Sequence, residues 1–220
     1  MKKEKLKIIY EDKYIIVVDK PSNLLTIATS VEKQQTLYHK VLIYEKKKNK
    51  KNKIFIVHRL DKDTSGLVIF AKDEKTKMIL QNNWNKVIRK YIAIVEGKVE
   101  KKEAVIKSYL KENNKLITYS TNNKTGKLAI TNYKVLNRSK AYSLLEIDIK
   151  TGRKNQIRVH MSDINHPIIG DKKYNSKTNP LKRLGLHAYY LEFYHPINNE
   201  LVILKADIPT GFINMFPKNK

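Results

Sequence analysis

The segment from His58 to Gly66 carries the residues best suited to chemistry. It places the carboxylate of Asp61 between two apolar runs, 54–57 and 67–71. An acid between buried strands is costly to keep ionised unless it is paired. We therefore expect Asp61 to lie on a strand that continues the first run and to be a catalytic group. A buried structural ion pair is the alternative.

Two further segments combine polar residues of functional type with apolar surroundings. One surrounds Tyr91, in a strand of apolar residues, and the other runs from Thr151 to His160. If the second is helical, Gln156 and His160 share a face, whereas Arg158 lies on another. Arg158 could then reach across a cleft to a carboxylate. Tyr91 taken alone would more often be a core tyrosine.

The elements that must position these residues are mostly strands. Apolar or alternating runs predict strands at 7–10, 14–18, 88–95, 104–110, 115–121, 129–136, 142–149, 188–194 and 201–206. Helices are predicted after two capping residues, Thr36 and Asp73, and over 155–164. Many strands and few helices indicate an α+β fold around a largely antiparallel sheet. We find no repeat and no linker, so one catalytic domain, 1–220, is expected.

The composition limits the class of protein. The 220 residues carry a formal charge of +24 and no cysteine, which excludes disulfides, thiolate catalysis and cysteine-based zinc sites. Such a charge favours nucleic acid as a partner. A bias toward lysine, asparagine and isoleucine on a solvated surface would produce the same pattern. No apolar run is long enough to cross a bilayer, and we expect a cytoplasmic protein without a membrane partner.

The lysines and the arginines differ in what they indicate about a binding site. The run 46–53 has six lysines and no apolar residue, which predicts a mobile loop; contact with phosphates is the second interpretation. Only six arginines occur, and four of them, Arg59, Arg89, Arg153 and Arg158, lie within or beside the three segments described above. A planar, bidentate donor is hard to replace by lysine, so these four positions indicate a built site.

The sequence resembles the RluA family of pseudouridine synthases over about residues 8 to 209. The matching segments follow the family's order: Tyr10-Glu11-Asp12, Lys20-Pro21, His58-Arg59-Leu60-Asp61 with Thr64-Ser65-Gly66, the strand around Tyr91, Gly152-Arg153 with Gln156-Ile157-Arg158-Val159-His160, His166-Pro167-Ile168, Gly170-Asp171, Tyr174, Leu186-His187-Ala188 and His195-Pro196. The resemblance implies the pseudouridine synthase fold, with a central RNA-binding cleft.

The activity implied by the resemblance is the isomerisation of uridine in structured ribosomal or transfer RNA by base flipping. The family needs no cofactor and no metal. Its catalytic aspartate matches Asp61, its active-site tyrosine matches Tyr91, and the arginine that pairs with the aspartate matches Arg158. A cation at Arg158 would favour the ionised carboxylate in a dry pocket. Tyr91 would stack on the flipped ring, since a tyrosine hydroxyl is a poor base alone.

The resemblance also indicates residues that bind the substrate. Arg59 would fill the gap left by the extruded base or grip a phosphate. The other expected substrate-binding residues are His58, Thr64, Arg153 and Asn155. Taken alone, the histidines indicate packing or hydrogen bonding rather than metal ligation. Nothing in the sequence demands more than a monomer.

The chain departs from the family pattern at three places. Asn155 stands where histidine is usual, and Arg89 stands where lysine is commoner. Ser22-Asn23 replaces the usual small residue and glycine after Pro21. We expect Asn155 to alter how the helix holds the RNA backbone. The S4-like domain that many relatives carry at the N-terminus is not expected.

Two other functions fit the sequence less well. An inert RNA-binding protein could keep the fold and lose the chemistry, although the intact set of Asp61, Tyr91 and Arg158 argues against it. Another base-modifying enzyme is the other alternative. A zinc deaminase would need cysteines, and a nucleotide-dependent methyltransferase would need a glycine-rich loop.

Overall fold

The computed structural model describes residues 6–29, 32 and 34–216. The chain forms two compact units, and each unit combines two stretches of sequence. The first contains the described residues up to Val87 together with Ala188–Ala206, and the second contains Ile88–His187 together with the described residues from Asp207 onward. A single catalytic domain over 1–220 stays a prediction.

The elements follow in chain order: β1 (Lys7–Glu11), β2 (Ile15–Lys20), α1 (Leu37–Lys48), β3 (Phe55–Ile56), β4 (Ser65–Ala71), α2 (Glu74–Asn82), a 3-10 helix (Trp84–Lys86), β5 (Ile88–Glu96), β6 (Glu103–Glu112), β7 (Thr118–Thr121), β8 (Lys127–Arg138), β9 (Tyr142–Ile149), α3 (Gln156–Asp163), a 3-10 helix (Lys172–Tyr174), β10 (Leu186–Tyr194), β11 (Leu201–Lys205) and α4 (Thr210–Asn214). The predicted strands and the three predicted helices are confirmed, and β3 and β4 lie at the apolar runs 54–57 and 67–71, whereas α4 and the 3-10 helices were not predicted.

The first unit is a sheet in the order β1-β2-β4-β10, with β3 paired to β4 and β11 paired to β10. Its central strands β2 and β4 are almost wholly buried, because both faces of the sheet are covered. The side chains of Ile15, Val17, Leu67, Ile69 and Leu191 form the centre of the core. This core fixes the segment between β3 and β4, which contains Asp61.

The helices of the first unit begin at the predicted caps. Thr36 accepts a hydrogen bond from the His39 N–H, and Asp73 accepts one from the Thr76 N–H at 2.7 Å. The prediction of a loop over 46–53 is wrong for its first three residues, since α1 continues to Lys48. The helix is maintained there because Glu45 is buried and pairs with Lys48, and because cations favour a helix C-terminus.

The second unit is an antiparallel sheet in the order β5-β9-β8-β6-β7. Alternating side chains of β8 and β9 are buried, as expected for strands with one covered face. Helix α3 lies against this sheet, and Val159 packs with Leu110, Ala129 and Tyr174. In the described ranges no helix is long and apolar enough to cross a membrane.

Candidate active site

Asp61 lies in a turn of the first unit. Strand β3 ends at Ile56, so the expectation that Asp61 continues a strand is wrong. The turn forms because the Thr64 N–H donates to the Asp61 carbonyl at 3.2 Å. Asp61 is half-buried, and the preceding Leu60 is buried. The carboxylate is therefore carried by a segment with one side in the core.

Thr26 holds the residue before Asp61 on both sides of its backbone. Its Oγ1 donates to the Leu60 carbonyl at 2.7 Å and accepts the Leu60 N–H at 3.2 Å. Thr26 is only 2% exposed, so water cannot easily replace either bond. One hydroxyl thus fixes the position and the orientation of the Leu60 backbone, where the chain enters the turn.

A buried lysine holds the residue after Asp61. Lys20 is fully buried, and its Nζ donates to the carbonyls of Lys62 at 2.9 Å, Leu24 at 2.7 Å and Pro21 at 3.0 Å. A buried ammonium is tolerated only where acceptors surround it. These bonds join the turn to the segment that follows β2. The matching Lys20-Pro21 pair therefore has a structural reason in this chain.

Ser22 and Asn23 explain one departure from the family pattern. The Ser22 hydroxyl donates to the Asp63 carbonyl at 2.6 Å. Asn23 has a φ of 62°, in the left-handed region that glycine occupies most readily. Asparagine is the other common residue there. The substitution of glycine by asparagine is thus compatible with the backbone of this segment.

The other predicted residues of this segment differ in exposure. His58 stacks on Trp84 with ring centroids 4.5 Å apart, and its Nε2 accepts the Ile69 N–H at 3.1 Å. This confirms a packing and hydrogen-bonding role for His58. Thr64 is buried, whereas Arg59 is exposed. Only Arg59 therefore presents its side chain largely to solvent.

Tyr91 lies in β5 of the second unit and is 8% exposed. Its neighbour Arg89, two residues earlier on the same strand, is equally buried. Burial lowers the pKa of Arg89, and the charges of Tyr91 and Asp148 oppose this shift. A Cβ at Gly152 would lie 2.8 Å from the Arg89 guanidinium. The missing side chain at Gly152 therefore leaves room for the Arg89 guanidinium, and the φ of Gly152 is not in the left-handed region.

Arg158, on α3, is held by the carboxylate of Asp171, a residue that was matched to the family without a role. Its Nε and Nη2 donate to the two oxygens of Asp171, both at 2.7 Å, and its Nη1 donates to Asn155 at 3.2 Å. Arg158 and Asp171 are both buried. Asp171 fixes the plane of the guanidinium.

Asn155 directly precedes α3 and joins two partners of this cluster. It has a left-handed φ of 53°, and its Nδ2 donates to the Tyr174 hydroxyl at 3.0 Å. The Tyr174 ring lies 5.1 Å from the Arg158 guanidinium carbon. Asn155 is only 8% exposed. These internal contacts differ from the RNA-backbone role expected for Asn155 from the sequence.

The segment that carries Asp171 is itself anchored by Glu96. One oxygen of Glu96 accepts from the Ser176 hydroxyl at 2.9 Å, the Thr178 N–H at 2.6 Å and the Thr178 hydroxyl at 2.7 Å. Burial opposes ionisation, but these bonds lower the pKa of Glu96. The Ser176 N–H in turn donates to the Asp171 carbonyl at 3.0 Å. The position of Arg158 thus depends on a chain of fixed contacts.

The other face of α3 is a polar network inside the second unit. Gln156 and His160 both bond to Thr131 Oγ1, at 2.9 and 2.8 Å, as expected for side chains four residues apart. His160 also bonds to Ser108 at 3.0 Å. Burial lowers the pKa of His160 to about 4, against the charge of Asp163. This confirms a hydrogen-bonding role for His160.

Arg153 lies just before this helix and is exposed. Its Nε donates to the Leu128 carbonyl at 2.9 Å, which fixes the base of the side chain. Among the described residues, no group of three or more histidine, aspartate or glutamate side chains forms a metal-binding arrangement. Asp61 belongs to the first unit, and Tyr91 and Arg158 belong to the second. The pairing of Asp61 with Arg158 remains a prediction.

Comparison with known protein families shows to which family the chain belongs. Residues 14–163 match the family model described as RNA pseudouridylate synthase, a range that includes Asp61, Tyr91 and Arg158. The chain belongs to this family. It is an RNA pseudouridine synthase, an isomerase that modifies RNA.

Curated relatives of this pseudouridine synthase agree with the match. It is 37% identical to the ribosomal large subunit pseudouridine synthase D of Buchnera aphidicola, over 96% of this chain and 71% of the relative. It is 33% identical to an uncharacterized RNA pseudouridine synthase of Bacillus subtilis, with the same shares covered.

Solved structures share the fold. One is the structure of the human protein named RNA Pseudouridylate Synthase Domain Containing 4. It superposes with a TM-score of 0.79 at 26% identity, and the match covers 94% of this chain and 90% of that one. The human domain containing 1 protein gives 0.78 at 22% identity, with 94% and 84% covered. The predicted pseudouridine synthase fold is therefore confirmed.

Sequence reasoning missed the residues that hold the candidate site. Thr26 and Ser22 were given no role, and Lys20, Asp171 and Tyr174 were matched to the family without one. The sequence around each of these polar residues gives no local signal of its role, because the group that it binds lies far along the chain. The fixed order of the matched motifs was the only indication.

Proposed function

We propose that this pseudouridine synthase isomerises particular uridines in structured ribosomal or transfer RNA by flipping the base, with Asp61 as the essential carboxylate. The Bacillus subtilis relative is named only as an RNA pseudouridine synthase, whereas the Buchnera aphidicola relative is named for the ribosomal large subunit. This supports ribosomal RNA as the first substrate to test.

The observation that carries the proposal is the intact segment His58-Arg59-Leu60-Asp61 inside the family match. The backbone on both sides of Asp61 is held by Thr26 and Lys20. A reacting group must be held in a narrow range of positions, and such support from neighbouring side chains is what this requires.

In the proposed reaction the bond between N1 of uracil and C1′ of ribose breaks, the ring turns, and C5 bonds to C1′. The proton leaves C5 for solvent, and N1 gains one. Asp61 either captures the sugar or assists proton loss from it while the base turns. Arg158 favours the ionised carboxylate, and Tyr91 stacks on the flipped ring.

The residues proposed to bind the substrate are close in sequence to Asp61 or to Arg158. Arg59 is exposed and is proposed to occupy the gap in the RNA or to bind a neighbouring phosphate. Further substrate-binding residues are proposed at His58, Thr64, Arg153 and Asn155. We also propose a central RNA-binding cleft and a monomer that acts in the cytoplasm without metal or cofactor.

Tritium release from RNA labelled at C5 of uridine tests the proposal. We expect release by the wild type, unchanged by a metal chelator, and none by Asp61→Ala, whose RNA binding should persist. Asp63→Ala is the matched control, because it removes a carboxylate from the same turn. Equal release from wild type and Asp61→Ala would remove Asp61 from the mechanism.

A further inference from the structure

An open groove on the first unit is rich in lysine. Its volume is about 520 Å³, and half of its ten lining residues are lysines: Lys13, Lys48, Lys51, Lys53 and Lys72. It includes part of the lysine run for which the sequence left two interpretations. None of these lysines belongs to the residues proposed for the site above.

Two of the groove lysines are explained by the fold. Lys72 lies 2.6 Å from a Glu11 oxygen and 3.4 Å from Glu45, and Lys48 pairs with both acids. Burial opposes ionisation of Glu11, but the bonds from Lys48 and Lys72 lower its pKa to about 2. These four groups form an ion cluster in which the two positive charges and the two negative charges cancel.

The other three groove lysines have no such explanation. Lys13, Lys51 and Lys53 are exposed, and in the part of the chain that the structure describes none of them forms an ion pair. Lys13 lies 5.6 Å from the Tyr14 ring, a weak contact at an exposed site. Neither the ion cluster nor the α1 terminus requires these charges.

The acids at the groove do not balance these cations. Asp73 is engaged at the start of α2, where it accepts from the Thr76 N–H at 2.7 Å and the Thr76 hydroxyl at 2.6 Å. Glu74 lies in the first turn of the same helix, where a carboxylate is favoured. Asp73 and Glu74 keep two negative charges, so with the three positive charges of Lys13, Lys51 and Lys53 the groove retains a net charge of +1.

We propose that Lys13, Lys51 and Lys53 bind the phosphodiester backbone of the RNA substrate at nucleotides other than the reacting uridine. The inference rests on the proposed function, and it names the partner of this groove. An ammonium binds phosphate as a mobile point charge without reading sequence. A wide, open groove suits a backbone, whereas a base would need an enclosed, apolar pocket.

The test compares two triple variants with the same change in net charge. One replaces the three groove lysines with glutamine. The matched control replaces three exposed lysines of the second unit that form no ion pair among the described residues: Lys101, Lys124 and Lys140. Binding of a transcript of large-subunit ribosomal RNA is measured at several potassium chloride concentrations.

We expect the groove variant to flatten the slope of log affinity against log salt by about 0.7 to 0.9 per lost contact. Three contacts correspond to a loss of affinity on the order of a hundredfold near 0.15 M salt. The control should leave the slope close to that of the wild type. Equal changes from both variants, or no change from either, would overturn the inference.

Activity separates failure of this inference from failure of the proposed function. At saturating RNA, tritium release by the groove variant should match the wild type, because the lysines bind and do not react. If the wild type released no tritium, the proposed function would fail, while the salt slopes would still decide whether the groove binds RNA.

Discussion

Replacing Thr26 by valine tests whether the segment after β2 positions Asp61. The change keeps the shape of a fully packed side chain and removes only its hydroxyl. In the wild type that hydroxyl bonds to both the N–H and the carbonyl of Leu60, 3.2 and 2.7 Å away. At 2% exposure, water has little access to replace it.

The magnitude follows from the two lost bonds. A neutral hydrogen bond contributes about 0.5–1.5 kcal/mol, so Thr26→Val should lower the free energy of unfolding by about 1–3 kcal/mol. For a chain of this size that corresponds to a fall in Tm of about 2–12 °C. A shift of the adjacent Asp61 by about 1 Å would reduce kcat by up to about a hundredfold. KM should not change.

The matched control is Thr118→Val. Thr118 is also buried, but its hydroxyl has no hydrogen-bond partner among the described residues. Its replacement should be neutral or stabilising, because an unsatisfied polar group is removed. Thermal unfolding and steady-state tritium release are measured for both variants. Equal stability of the two variants, or a normal kcat for Thr26→Val, would refute the reasoning.

Two further predictions concern the second unit. The pKa of His160 in the folded protein is about 4, below the value near 6.5 for an exposed histidine. Between these two pH values the histidine is protonated in the unfolded chain and neutral in the folded one. The free energy of unfolding therefore falls as the pH decreases from about 6.5 to 4. His160→Gln should therefore reduce the loss of unfolding free energy between pH 6.5 and 5 by about 2 kcal/mol, measured by urea titration; an unchanged loss would assign it to other groups. Asp171→Asn leaves the buried guanidinium of Arg158 without its counter-charge and should lower stability by about 3–5 kcal/mol in the same assay, whereas a loss below about 1 kcal/mol would contradict a buried pair.

Much of the fold was predictable because its signals are local. The cap at Thr36 and the apolar stripe after it lie within one segment, as do the turn residues between β1 and β2. The error over 46–53 has the opposite origin. Lysines without apolar neighbours indicate a loop, but α1 extends through Lys48 because Glu45 is buried against Lys72, 27 positions away by sequence number.

The support of the candidate site was not predictable for the same physical reason. Thr26 and Leu60 are 34 residues apart, and Lys20 reaches a carbonyl 42 residues away. A hydroxyl or an ammonium carries no sign of which distant backbone it will bind. Family motifs indicated that Lys20 and Asp171 matter, and the contacts explain why: each fixes a charged or reactive segment from the side of the core.

Asn155 shows how a departure from a motif can preserve a site. Its amide accepts from Arg158 and donates to Tyr174. A neutral histidine also has one acceptor and one donor, so either residue can link these partners. Its backbone is left-handed, and both asparagine and histidine are enriched in that region. The exchange is therefore tolerated at two levels, backbone and hydrogen bonding, and Asn155→His should retain the orientation of Arg158.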